Sequence, residues 1–303
     1  RTRVEVSSLN DGGWSLADVA TKALLEKLKK SGTQLGEYVK GEIYYGIKTG
    51  LNEAFVIDAE TKARLTGEDA KSADLIKPFL AGRDIKRYAP PESDKFLIFT
   101  RRGTDIKKYP AIEKHLLQFK AQLTPKPDTY KGSEWEGRKA GNYKWFEIQD
   151  AVDYYAEFEK KKIIYPNICK QPEFAFDVEG LYTNQKCFII SLEDKYLLGV
   201  LNSRVSFFLF QQILPKLRGD FYEPSYVYFK DFPIANATQA QRGEIEKLVE
   251  RMLELKRKAA VSGGMEREQV EAFIKRTDKE IDAAVYGLYE LTAEEIKVVE
   301  GGT

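Results

Sequence analysis

Histidine and cysteine are almost missing from this chain of 303 residues, which holds one histidine, His115, and two cysteines, Cys169 and Cys187. A structural zinc site takes four such ligands, and three are too few. A Ser-His-Asp or Cys-His centre would have to be built on His115 alone. Two cysteines with no Cys-x-x-Cys spacing fit a reducing compartment, so a cytoplasmic location is expected. No apolar run approaches the roughly 20 residues that span a bilayer, so no membrane partner is expected. Neither glycine-rich phosphate loop, GxxxxGK[ST] or GxGxxG, is present. No signal peptide is seen. The opening Arg1-Thr2-Arg3-Val4 reads as mid-chain, so the sequence is expected to be cut from a longer protein.

What remains is an ordinary globular mix, 43% hydrophobic and 31% charged, with net charge +1. The charge is uneven. Residues 244–300 carry 14 acidic and 10 basic side chains, and the preceding body is basic by five. Residues 77–108 hold nine basic against four acidic side chains, which equals the whole excess of the body. Such a cluster suits phosphate binding, and its arginines suit guanine edges. The plain alternative is a solvated surface. Asp58-Ala59-Glu60-Thr61-Lys62 carries the acids of a metal-dependent nuclease. Those acids belong on adjacent strands, whereas these fall within five residues, so a solvated strand exit is expected and no metal site. His115, beside Lys114 on an expected helix, reads as an exposed or capping side chain.

Periodicity predicts a helix over residues 15–31, with Ser15 and Asp18 as a capping box. Strands are predicted at 42–47 and 53–58, joined by a turn at 48–52, with Gly46, Gly50 and Asn52 read as hairpin geometry and not as contacts. Further strands are expected at 96–100, 162–168 and 186–191, and an amphipathic helix at 110–123. Residues 124–143, rich in Pro, Gly, basic and aromatic side chains, read as a long functional loop. An apolar helix or helix pair follows at 196–214, then an aromatic, polar stretch at 216–231. From Thr238 two apolar stripes, Ile245 to Leu253 and Val270 to Leu288 (the latter including Phe273), flank Ser262-Gly263-Gly264 and predict an antiparallel helical hairpin. Thr292 with Glu295 marks a last capped helix.

Several stretches in order carry a family likeness. Gly41-Glu42-Ile43-Tyr44-Tyr45-Gly46-Ile47-Lys48-Thr49-Gly50-Leu51-Asn52 opens it. Pro78-Phe79-Leu80-Ala81-Gly82-Arg83-Asp84-Ile85, Tyr109-Pro110-Ala111 with His115-Leu116, Lys162-Ile163-Ile164-Tyr165-Pro166, Leu197-Leu198-Gly199-Val200-Leu201-Asn202-Ser203 and Phe232-Pro233-Ile234 follow. In this order they resemble the TaqI-like C-terminal specificity domain of type IIG restriction–modification enzymes. Ala235 stands where that family has its closing proline, and Glu290 where its tail has glycine. The resemblance implies that cofactor motif, Asn-Pro-Pro-aromatic loop and nuclease acids lie upstream of this region.

The expected fold is α+β: a mixed, mostly antiparallel sheet with packed helices, followed by a C-terminal helical hairpin. The expected division is a connecting helix (1–34), a DNA target-recognition domain (35–238) and a helical spacer (239–303). The resemblance implies a part that is not itself catalytic and binds no cofactor. It would read duplex DNA and position an adenine for N6-methylation by an upstream methyltransferase domain of the same polypeptide. S-adenosylmethionine, and Mg²⁺ where a nuclease is present, would belong to that parent. Base reading is expected from the polar, irregular segments: Lys216, Arg218, Asp220, Tyr222, Glu223 and Tyr226; Arg138, Lys139, Asn142 and Lys144; and Lys170 and Gln171. Phosphate contacts are expected from Arg83, Lys86, Arg87, Arg101, Arg102, Lys107 and Lys108. The competing reading is a protein-interaction module of a type I-like or phage-defence methyltransferase complex.

Overall fold

The computed structural model describes residues 19–301, which fall into two compact units. One unit comprises residues 42–168 and 173–194 and contains the sheets. The other joins residues 19–41, 169–172 and 195–301 and is mainly helical.

Twelve strands are described: β1 (Gly32–Gln34), β2 (Ile43–Tyr45), β3 (Val56–Asp58), β4 (Ile76–Leu80), β5 (Lys95–Ile98), β6 (Lys162–Pro166), β7 (Ala175–Asp177), β8 (Tyr182–Thr183), β9 (Cys187–Ile190), β10 (Lys216–Leu217), β11 (Phe221–Tyr222) and β12 (Pro233–Ala235). The sheet unit holds two four-stranded sheets, ordered β2-β9-β6-β7 and β3-β5-β4-β8. The first is antiparallel throughout, with Ile189 opposite Tyr44 on one side and Ile164 on the other. The second is antiparallel except for the parallel pair β4–β8, where Phe79 faces Tyr182. All five residues of β6 are buried, which explains why Ile163-Ile164-Tyr165 reads as an unbroken apolar run instead of an alternating one. The core gathers Phe55, Leu97, Ile112, Leu116, Ile148, Phe158 and Ile189 from strands, helices and loops.

Three local expectations are corrected. The stretches 42–47 and 53–58 do not form a hairpin: β2 pairs with β9 and β3 with β5, in different sheets. Residues Asn52–Phe55 coil into one helical turn, which sinks Ala54 and Phe55 into the core before β3 begins. The helix expected over 110–123 is two, Pro110–Leu117 and Lys120–Leu123, interrupted where Phe119 leaves helical geometry (φ −107°, ψ 11°). Phe273, expected in the apolar stripe, points outward at 56% exposure while Val270, Ile274, Thr277 and Ile281 are buried.

In the helical unit, β1 pairs antiparallel with β12 and β10 with β11. Helices Gln239–Val261 and Gly264–Leu288 form the expected hairpin, and Thr238 and Thr292 each head a capping box. Helix Lys195–Leu201 lies against the first hairpin helix, close enough that a Cβ on Gly199 would stand 2.8 Å from Ile245 Cγ2. The helix expected over 15–31 is described as Val19–Lys30, and the Ser15–Asp18 box lies outside the described residues. Among the described residues, no helix is long and apolar enough to cross a membrane.

Candidate nucleic-acid interface

The basic segment 77–108 lies in the sheet unit and presents most of its cations outward. Arg83, Lys86, Arg101, Lys107 and Lys108 are exposed, and Arg87 is half-buried with its guanidinium 4.9 Å above the ring of neighbouring Tyr88. Arg101 is laid 4.4 Å over the Tyr155 ring, which fixes its direction without neutralising it. Several of these side chains meet an acid at the surface: Lys107 with Glu113 at 2.6 Å, Lys108 with Asp105 at 3.9 Å, Lys86 with Glu173 at 3.6 Å and Arg83 with Asp84 at 3.6 Å. Exposed pairs of this kind are worth about 0–1 kcal/mol, so an incoming phosphate can displace them. Arg102 differs. It donates to the backbone oxygens of Ile148 and Gln149, so it holds a loop in place.

That loop is organised by Arg138, which leaves the set of base readers. Its side chain is buried, and its guanidinium donates to five backbone oxygens: Leu123, Thr49, Glu147, Lys144 and Trp145. Burial pulls its pKa down to about 10, which leaves it charged at neutral pH. The long segment 124–149 contains little regular structure of its own, so a charged fork that satisfies five carbonyls substitutes for a sheet or helix ladder. The consequence is a fixed rim on which Lys139, Asn142 and Lys144 stand exposed.

Beside that rim the sheet unit carries a concavity of about 680 Å³, lined by Lys48, Gly50, Asn52, Lys139, Gln149, Gln185 and Lys186 among others. Asn52, Asn184 and Lys186 also line a neighbouring depression that reaches Arg83 and Lys95. Lys48, Gln149, Gln185 and Lys186 are not among the residues expected to read bases. For Gln185 and Lys186 the sequence signal is the short polar stretch 184–186, which the structure places between β8 and β9; Lys48 falls in the expected turn 48–52, and Gln149 has no such signal.

The aromatic stretch after residue 215 lies in the helical unit. It forms the small hairpin β10–β11, whose turn places Gly219 (φ 84°) and Asp220 (φ 60°) in the left-handed region. Lys216 and Asp220 pair at 2.8 Å; the hydrogen bond from Lys216 holds the Asp220 carboxyl below its usual range. Arg218 stands exposed at the tip. Lys170 lies 5.1 Å over Phe221, and Gln171 beside it is exposed. Tyr222 also leaves the set of base readers. It is 7% exposed, its ring meets Phe207 and Phe210 edge-on, and its backbone bridges Cys169 in both directions. Glu223 and Tyr226 are half-buried.

The nuclease-like acids have a local explanation. Asp58 caps the helix Ala59–Glu68, accepting from the Thr61 N–H at 2.8 Å, and this bond lowers its pKa. His115 is not exposed. It is buried, with Nε2 3.1 Å from the Ala54 oxygen.

A two-sheet unit with a cationic rim and arginine-clamped loops is the frame of a recognition module. Residues 77–234, just over half of the chain, match the TaqI-like C-terminal specificity domain, and the chain belongs to that family. The fold is similar to that in a structure of the type IIL restriction–modification enzyme MmeI in complex with DNA, with a TM-score of 0.59. That similarity covers 86% of this chain and 35% of the other at 14% sequence identity, so the chain spans about a third of that enzyme's length. No curated protein sequence matches it.

Proposed function

We propose that this chain reads duplex DNA for a restriction–modification enzyme and positions a target adenine for N6-methylation by a methyltransferase domain of the same polypeptide. The observation that carries the reading is a coincidence of place. The specificity-domain match begins at residue 77, where the segment holding the body's charge excess also begins. Of its cations, Arg83, Lys86, Lys95, Arg101, Lys107 and Lys108 stand exposed on the sheet unit. The similarity to a DNA-bound restriction–modification enzyme supports it. In this reading the exposed cations take phosphates, and the rim around Lys139 and the hairpin tip at Arg218 take base edges. The chain itself transfers no methyl group and cuts nothing. S-adenosylmethionine, and Mg²⁺ where cleavage occurs, act elsewhere in the parent, which we place in the cytoplasm.

Duplex-DNA binding by the purified chain, followed by fluorescence anisotropy across a salt series, tests this. The slope of log K against log salt is expected near −0.9 for each phosphate contacted. A flat salt dependence overturns the proposal. A second reading, a protein-docking role for the helical hairpin, rests on the exposure of Val261, Met265 and Phe273. Binding to the methyltransferase portion with no affinity for DNA would favour it.

A further inference from the structure

Two glycines, Gly46 and Gly82, press against the turn 184–186 of the sheet unit, and a third, Gly50, lines the concavity beside it. A Cβ on Gly46 would fall 1.8 Å from the Asn184 oxygen, and a Cβ on Gly82 would fall 2.5 Å from the Lys186 oxygen. The turn 184–186 is thus wedged between two backbone segments that approach it as closely as main chains can. Gly50 (φ 86°) forms the floor, where a Cβ would press on the Arg138 Cδ at 2.7 Å and the Gln149 Oε1 at 2.9 Å. The turn is further tied by Gln185 N–H to Ile47 O at 3.0 Å, Ile47 N–H to Thr183 O at 2.7 Å and Lys186 N–H to Asn184 Oδ1 at 3.0 Å. Asn52 stands beside it, its Oδ1 accepting from the Thr49 hydroxyl at 2.7 Å. Hydrogen bonds along the turn on one side, and the Arg138 fork on the other, therefore hold the two sides of the concavity.

The side chains displayed on this frame contrast with the rest of the basic surface. Several cations elsewhere are matched by nearby acids, as in Lys107–Glu113 and Lys216–Asp220. Among the described residues, the amides of Gln149 and Gln185 and the ammonium groups of Lys139 and Lys186 carry no hydrogen bond or ion pair within the chain. The one acid lining the same concavity is Glu53, against Lys48, Lys139 and Lys186 in addition to the internally satisfied Arg138. Neutral amides together with unpaired ammonium groups, on a hydrogen-bonded concave frame, match the purine edge in the major groove. A glutamine or asparagine reads adenine N6 and N7 bidentately, and a lysine donates to guanine O6 and N7.

We infer that the concavity lined by Gly50, Asn52 and the turn 184–186 is a base-reading site for purines, with Gln185 and Lys186 as specificity-determining side chains and Lys139 and Gln149 on the same lining. This rests on the DNA-reading function proposed above and assigns the readout to a turn between β8 and β9.

The test is in vitro selection from a random duplex pool, using the chain itself and its Gln185→Ala, Lys186→Ala and Arg101→Ala variants, with circular dichroism confirming that each is folded. The wild type is expected to enrich a defined sequence. Gln185→Ala and Lys186→Ala should each lose about tenfold or more discrimination at one position while the other positions keep theirs, since a good bidentate contact is worth that much. Arg101→Ala should keep the whole sequence preference and bind every duplex more weakly. Enrichment of an unaltered sequence by both turn variants overturns this inference and leaves the DNA-reading function standing. Failure of the wild type to bind duplex DNA, or binding with no sequence preference, overturns both.

Discussion

Two buried charges and one buried imidazole show how single residues carry this fold. Lys162 and Asp177 pair inside the sheet unit with both side chains fully buried. Lys162 also donates to the Phe158 oxygen, and Asp177 accepts from the N–H groups of Glu179 and Leu181 at 2.8 and 2.9 Å. Burial pulls the lysine below its usual pKa, and the aspartate opposes that shift. The pair thereby closes the turn after β7, and removing one partner strands the other. Lys162→Met is expected to cost about 3–5 kcal/mol by urea denaturation, and Lys162→Met with Asp177→Leu to cost less than the single change. A larger loss in the double variant would count against this. His115 sets a pH dependence. Burial, reinforced by Arg64 and opposed by the Ala54 carbonyl, holds its pKa below the ordinary 6.5. The folded chain therefore binds this proton less readily than the unfolded one. The stability it contributes is complete above about pH 6.5 and is lost as pH falls below that value. The urea midpoint of the wild type should fall more steeply below about pH 6.5 than that of His115→Gln. Equal slopes would remove His115 as the cause.

At the scale of elements, close backbone approach recurs as the device that joins segments distant in sequence. Helix Lys195–Leu201 meets helix Gln239–Val261 at Gly199, whose absent Cβ leaves room for Ile245 and Val249. Gly199→Ala should lose about 1–3 kcal/mol through overpacking. Gly243→Ala, on the facing helix but with nothing within 4 Å of the added carbon, should instead gain up to about 1 kcal/mol from helix propensity. Opposite signs in urea denaturation are the expected result, and a gain at both sites would show that the crossing is looser than described. The same logic governs the loop 124–149, where a Cβ on Gly137 would fall 2.1 Å from the Thr124 oxygen, and where Arg138 and Arg102 bring further donors to the carbonyls of Glu147 and Gln149.

For the whole molecule, the distribution of charge matters more than its sum. A net +1 conceals a body with an excess of five and a tail with a deficit of four. A polyanion is therefore drawn to the sheet-bearing body and not to the acidic helical tail. Because Arg101 is oriented by Tyr155 and remains exposed, Arg101→Ala should lower the salt slope of duplex binding by about one and weaken all sequences evenly. An unaltered slope, measured over the same salt series as the wild type, would move the phosphate contacts off this face.

Much of the architecture was legible because it is written locally. Helical period and caps announced the hairpin of Gln239–Val261 and Gly264–Leu288 and the final helix headed by Thr292. The ordered motifs from Gly41 to Ile234 announced the family, because those short stretches keep their own character in sequence. Pairing is another matter. The segments 42–47 and 53–58 look like neighbours, yet β2 pairs with β9 and β3 with β5, in different sheets, and Asn52–Phe55 between them coils into a helical turn. Tertiary structure alone made Arg138 an internal clamp instead of a surface reader, since its five carbonyl acceptors come from residues 49 to 147. It alone assembled Asn52, Lys139, Gln149, Gln185 and Lys186 around one concavity. Propensity and period act over a few residues, whereas a concave surface is built from long-range contacts that no local pattern encodes.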